Sequence, residues 1–145
     1  MISDCVVDAS VGIKIFVEEP FSDAADRLFD ELANNPLARF YVPDLFFVEC
    51  ANILWKYVRR FHYPPENARQ DVDDLRALAL LTVSTADLIG PALDLAMTYD
   101  ITTYDASYAA LARQLSLPLI TADDRLVRKL TGSGVSTILL RDISV

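Results

Sequence analysis

The chain has 145 residues, 52% of them hydrophobic, which is enough for one well-buried core and excludes a disordered protein. Its net charge of -8, from 21 acidic and 13 basic residues, excludes a protein that holds nucleic acid through a broad basic face; a local basic track stays open. No apolar run is long enough to cross a membrane, and Met1-Ile2-Ser3-Asp4 lacks the start of a signal peptide, so the expectation is one cytoplasmic domain over 1–145 with no membrane role.

Strand and helix patterns alternate along the chain. Cys5 to Asp8 reads as a short buried strand, followed by a helix from Ser10 to Val17 that ends near Glu19-Pro20. Ser22 suits the N-cap of a helix carrying Ala25, Leu28, Phe29 and Leu32 on one face. Phe40 to Val42 is a second strand. Pro43-Asp44 opens a long helix to about Arg60, and Pro64-Pro65 opens another to about Leu80. Leu81 to Val83 is a third strand. The helix from about Thr85 to Tyr99 contains Pro91, which predicts a late start or a kink. Asp105 to Leu115 is helical, Leu119 to Thr121 a fourth strand, Asp124 to Leu130 a helix, and Val135 to Leu140 a fifth strand. Short apolar strands separated by helices imply an α/β fold with a parallel sheet covered on both faces.

Ligands of such sheets bind beyond the carboxyl ends of the strands. Asp8 and Asp123 lie just past two of these ends. Asp105 opens a helix ahead of the fourth strand, and Glu49 interrupts the apolar stretch Leu45-Phe46-Phe47-Val48. Asp8 or Asp105 alone would serve as an N-cap; Glu49 has no such use, although a structural ion pair would also place it there. Several carboxylates in apolar surroundings repel one another and are costly to bury, and a divalent metal is the common way to hold them together. The cysteines, Cys5 and Cys50, read as buried thiols, and a lone histidine without a CxxC motif excludes structural zinc. Asp71, Asp73, Asp74, Asp87 and Asp94 read as solvated surface.

Four fragments resemble the PIN-domain ribonucleases, and among them the VapC-type toxins of toxin–antitoxin pairs. They are Val6-Val7-Asp8-Ala9-Ser10, Pro43-Asp44-Leu45-Phe46-Phe47-Val48-Glu49-Cys50-Ala51-Asn52, Thr103-Tyr104-Asp105-Ala106-Ser107-Tyr108-Ala109-Ala110-Leu111-Ala112, and Leu119-Ile120-Thr121-Ala122-Asp123. Each is weak alone; their order and spacing make the resemblance strong over nearly the whole chain. It implies a three-layer α/β/α fold with sheet order 3-2-1-4-5. It implies Mg²⁺ or Mn²⁺ held by Asp8, Glu49, Asp105 and Asp123, with hydrolysis of RNA phosphodiesters. It also implies a homodimer and inhibition by a small antitoxin. Hard divalent ions take carboxylate and water ligands, so the residue types agree with this chemistry.

Ser10 has two readings, a helix N-cap or a hydroxyl that orients a carboxylate or holds a metal-bound water; Thr121 has the second reading beside simple strand packing. Asp123 is assigned to the metal and Asp124 to capping the following helix. Lys56, Arg59, Arg60 and His62 form a basic cluster at a helix end, read first as cations favoured there and second as a phosphate track. Arg125, Arg128 and Lys129 have the same two readings. Trp55 is expected in the core. Phe21, Phe46, Phe47 and Tyr57 suggest an apolar groove for a partner between Ser22 and about Leu80.

Other aspartate-based enzymes fit poorly. A phosphoaspartyl-transfer enzyme of the haloacid dehalogenase type wants a second aspartate where Ser10 stands, and the four glycines, none arranged as a glycine-rich turn, make a P-loop or dinucleotide-binding fold a poor fit. The alternative from another class is a PIN-like domain that binds a partner with little or no hydrolysis.

Overall fold

Each expected strand joins one parallel sheet. The structure, a computed structural model, describes residues 2–143. Its strands are β1 (Asp4–Val7), β2 (Arg39–Pro43), β3 (Leu81–Val83), β4 (Leu119–Thr121) and β5 (Thr137–Leu139), in the order β3-β2-β1-β4-β5. Successive side chains of a strand point to opposite faces. Cys5, Val6 and Val7 are all fully buried, so helices cover both faces of the central strand. The sheet order expected from the resemblance is therefore the order found.

The helices are α1 (Ala9–Gly12), α2 (Ser22–Asn34), α3 (Leu45–Phe61), α4 (Pro65–Ala77), α5 (Thr85–Tyr99), α6 (Thr103–Leu115) and α7 (Asp124–Lys129). Most expected boundaries hold within a few residues. The helix expected from Ser10 to Val17 is shorter: α1 gives way at once to a 3-10 turn over Ile13–Ile15. The tight passage has a packing cause. A Cβ on Gly12 would stand 2.6 Å from Cζ of Phe46, a fully buried ring, so only glycine lets α1 approach α3 this closely.

Three local expectations are corrected. Ser22 is not an N-cap; it is the first residue of α2, and its hydroxyl accepts from the Glu19 amide at 2.9 Å and donates to the Val17 carbonyl at 3.2 Å, closing the preceding turn. Pro91 does not delay α5, which begins at Thr85 and runs through the proline. Asp71 is not simply solvated, since the Tyr63 hydroxyl donates to it.

α6 is the helix most enclosed by the fold. Every residue from Ala106 to Ala112 is buried, and small side chains let it lie close to its neighbours. Tyr108 is the largest exception to that small-residue run, and it is fully buried.

Candidate active site

The order of the sheet reverses between β1 and β4, which pair in parallel at Val6 with Leu119 and Val7 with Ile120. A reversal of this kind opens a crevice at the carboxyl ends of the strands, where the chains leave in opposite directions. Asp8 follows β1, and Asp123 stands two residues beyond β4. α3 brings Glu49 and the first turn of α6 brings Asp105 to the same place. All four acids line one cleft of about 200 Å³, together with Ser10, Ile53 and Tyr108.

The acids are held differently. Asp8 is 5% exposed and forms the N-cap of α1, its Oδ1 accepting from the Val11 amide at 3.3 Å. Ser10 donates to the same oxygen at 2.5 Å and accepts from the Ala122 amide at 3.0 Å; its hydroxyl lies 3.4 Å from that of Thr121. Ser10 therefore orients the carboxylate and ties β1 to the loop after β4, and it is not a cap. Thr121 is fully buried, and its hydroxyl accepts from the Asp123 amide at 3.1 Å. The Asp105 amide is taken by the Thr102 hydroxyl at 3.1 Å, so Thr102 caps α6 and the Asp105 carboxylate is left for the cleft. Glu49 accepts from the Tyr108 hydroxyl at 2.5 Å.

The division between Asp123 and Asp124 is corrected. Asp123 is the N-cap of α7, its Oδ1 accepting from the Arg125 and Leu126 amides at 2.9 and 3.2 Å. Asp124 does not cap; it pairs with Arg141 at 2.8 Å. The extended backbone of Asp123 leaves β4 directly into the helix, so the earlier residue reaches the free amides. Asp123 also lines the cleft, and among the described residues its Oδ2 has no hydrogen-bond partner, nor has Oε2 of Glu49.

Burial and crowding show in the acidities. Burial pushes the Asp8 carboxyl up to about 6, while the Ser10 and Thr121 hydroxyls pull it back and Asp105 raises it further. Burial also raises Glu49, against the pull of Tyr108 and with the push of Asp105. Asp105 is raised by burial first and by Asp123 second. These carboxylates thus feel one another across the cleft. An all-oxygen donor set of mutually repelling acids suits a hard divalent ion. The arrangement is open: among the described residues no three His, Cys, Asp or Glu side chains stand together as a closed ligand cluster.

Among the described residues no cysteine or histidine lines the cleft, and the Ser10 hydroxyl is engaged with Asp8. Burial pushes the Cys5 thiol up to about 12 and raises that of Cys50 as well, which keeps both protonated and inert. His62 is exposed, closes α3 in a left-handed conformation, and does not line the cleft. Next to the acids, and sharing Ser10, Ile53 and Asp123 with them, runs an open groove lined by Lys14, Arg125 and Arg128 and by the acids Glu19 and Asp124. Lys14 is already matched by Glu19 at 3.1 Å, and Lys129 binds the Asp100 carboxylate and carbonyl. Arg59 lies over the Trp55 ring, 5.1 Å from its centroid, so it serves the surface of α3.

Sequence reasoning missed Tyr108 and Thr102 as members of the site. Thr102 was legible as a threonine three residues before Asp105. Tyr108 was legible only as a residue one helical turn from Asp105, on the same face.

Trp55 is not in the core: it is 51% exposed and lines an apolar groove with Leu54, Val58, Ala68 and Val72 between α3 and α4. Of the four aromatics expected to form a partner groove, Phe46 is fully buried and Phe21 is exposed, while Phe47 and Tyr57 are half-buried. None of them lines the groove beside Trp55.

The PIN domain family matches residues 5–130. Ribonuclease VapC3 of Pyrobaculum aerophilum is 34% identical over 126 residues, covering 86% of this chain and 92% of that protein. Among solved structures, VapBC2 of Rickettsia felis, bound to a DNA fragment from its promoter, has a TM-score of 0.69 at 13% identity and covers 94% of this chain and 98% of its own. VapC20 of Mycobacterium tuberculosis, a toxin that cleaves the sarcin–ricin loop, has a TM-score of 0.66 at 17% identity over 86% of this chain and 93% of its own. At these identities the solved structures attest the fold, and the family match and the closer relative attest descent: the chain belongs to the PIN-domain family, in its VapC branch.

Proposed function

We propose that this chain, acting as one domain in the cytoplasm, is a metal-dependent endoribonuclease that hydrolyses RNA phosphodiester bonds as the toxin of a toxin–antitoxin pair. The observation that carries the reading is the meeting of Asp8, Glu49, Asp105 and Asp123 in one cleft at the switch between β1 and β4. The ribonuclease and toxin names of the similar proteins support it.

Mg²⁺ or Mn²⁺ would be held by those four acids. When bound, such an ion lowers the pKa of a water and neutralises charge on the attacked phosphate. The protein's own work is positioning. Ser10 keeps the Asp8 carboxylate turned into the cleft, and Thr121 fixes the backbone that carries Asp123. Arg125 and Arg128, in the adjoining groove, offer the local positive charge that an RNA strand needs on an otherwise acidic protein.

Two apolar surfaces fit the partners. The groove beside Trp55 suits the amphipathic helix of an antitoxin, a mode seen wherever a helix lays its apolar face into a groove. Ile89, Leu93 and Met97 are 58%, 51% and 67% exposed at four-residue spacing on α5, a stripe suited to a second copy of the chain.

The deciding experiment is RNA cleavage by freshly dialysed protein. Activity should vanish in EDTA, return with Mg²⁺ or Mn²⁺, and be lost in Asp8→Asn. Full activity in chelator would overturn the metal reading. A lack of cleavage under every condition would favour a domain that only binds a partner.

A further inference from the structure

Tyr108 has a feature that packing does not explain. It is 1% exposed, and its ring lies in the core, where phenylalanine would fill the same space. Its hydroxyl nevertheless reaches the acid cleft and donates to Oε1 of Glu49 at 2.5 Å. That bond joins α6 to α3 between residues 59 apart in the chain. Among the described residues it is the only hydrogen bond to the Glu49 side chain. A glutamate has three side-chain torsions, and one on a helix face beside a cleft can point its carboxylate in several directions.

We propose that Tyr108 is a positioning residue: its hydroxyl fixes Oε1 of Glu49 and thereby presents the other carboxylate oxygen for a divalent cation. The Asp8 carboxylate is held by Ser10 and that of Asp123 by its own cap bonds, while Thr102 fixes the backbone amide of Asp105 at the start of α6. Glu49, on the middle of a long helix, has no backbone device of this kind, and the tyrosine takes that part. Outer partners of this sort orient a ligand before the metal arrives, and their loss typically weakens metal binding about 10- to 100-fold. The inference rests on the reading of the cleft as a cation site.

The test is Mn²⁺ binding followed by electron paramagnetic resonance on the full chain, with melting in EDTA as the measure of folding. Wild type, Tyr108→Phe, Glu49→Gln and the double variant are compared. Tyr108→Phe should bind Mn²⁺ about ten-fold or more weakly while melting in EDTA near the wild type. In the Glu49→Gln background the same change should cost nothing further, because the tyrosine acts through the glutamate. Unchanged affinity in Tyr108→Phe, or an equal loss in both backgrounds, overturns the role of Tyr108 and leaves the cation site standing. A wild type that binds no Mn²⁺, or a Glu49→Gln variant that binds it as well as the wild type, overturns both. Should Tyr108→Phe fail to fold, 3-fluorotyrosine placed at position 108 reports instead. Its ¹⁹F resonance should shift on Mg²⁺ addition in the otherwise wild-type chain and stay fixed in Glu49→Gln; a resonance indifferent to Mg²⁺ overturns the proposal.

Discussion

Asp8→Asn should abolish cleavage and yet stabilise the metal-free protein at neutral pH. Burial lifts the Asp8 carboxyl from an ordinary 3.8 to about 6. Between these two values the native state keeps a proton that the unfolded chain has released. Stability therefore falls as pH rises through the window, and the whole cost is present above it. A gap of about 2 units corresponds to about 3 kcal/mol at pH 7 and above. Asparagine carries no charge and escapes this cost. The bonds of the carboxylate do not reverse this gain. The cap bond to the Val11 amide survives, since asparagine caps as well as aspartate. The bond from Ser10 passes from charge-assisted to neutral, a loss already contained in the net rise to about 6. The balance is a gain of up to about 3 kcal/mol, or several degrees in melting temperature for a chain of this size. The assay is thermal melting in EDTA at about pH 7.5 and again at about pH 3, where the difference should vanish because the carboxyl is neutral in the native chain and largely so in the unfolded one. A variant that melts several degrees below wild type at the higher pH would refute the reasoning and make Asp8 a structural cap. An equal gain at both pH values would show that its charge is not the cause.

Asp123→Ala should cost about 1 kcal/mol in urea denaturation, the usual worth of a cap, and should also lose metal-dependent cleavage. Asp124→Ala should cost less than about 1 kcal/mol, since its pair with Arg141 is half exposed, and should leave cleavage intact. The reverse pattern would move the site one residue along the loop. Trp55→Ala should leave the melting of the isolated chain within about 1 kcal/mol while weakening antitoxin binding by about 2 kcal/mol, measured by calorimetry. Unchanged affinity would place the antitoxin elsewhere. Leu93→Glu should turn a dimer into a monomer in sedimentation; a dimer that persists would move the interface off α5.

The sequence by itself determined the parallel sheet and the acids. Short β-branched runs between helices admit few topologies, and a carboxylate at the end of an apolar strand is conspicuous because burying it is costly. The order of the sheet and the joint role of the four acids came from the resemblance of four fragments, since nothing in strand composition says that β1 and β4 are neighbours. The tertiary structure decided what depends on a few ångströms or on a partner distant in the chain. Asp123 takes the cap that the sequence reading assigns to Asp124, because Asp124 is already the first helical residue and the side chain before it reaches the free amides. Trp55 reads as core by its hydrophobicity, but α4 leaves it on the open side of a groove, and only the packing of two helices could show that. Tyr108 reads as one more apolar residue of α6. Its hydroxyl acquires a meaning only when α3, 59 residues earlier, brings Glu49 within reach, and a contact of that separation leaves no periodic trace in sequence.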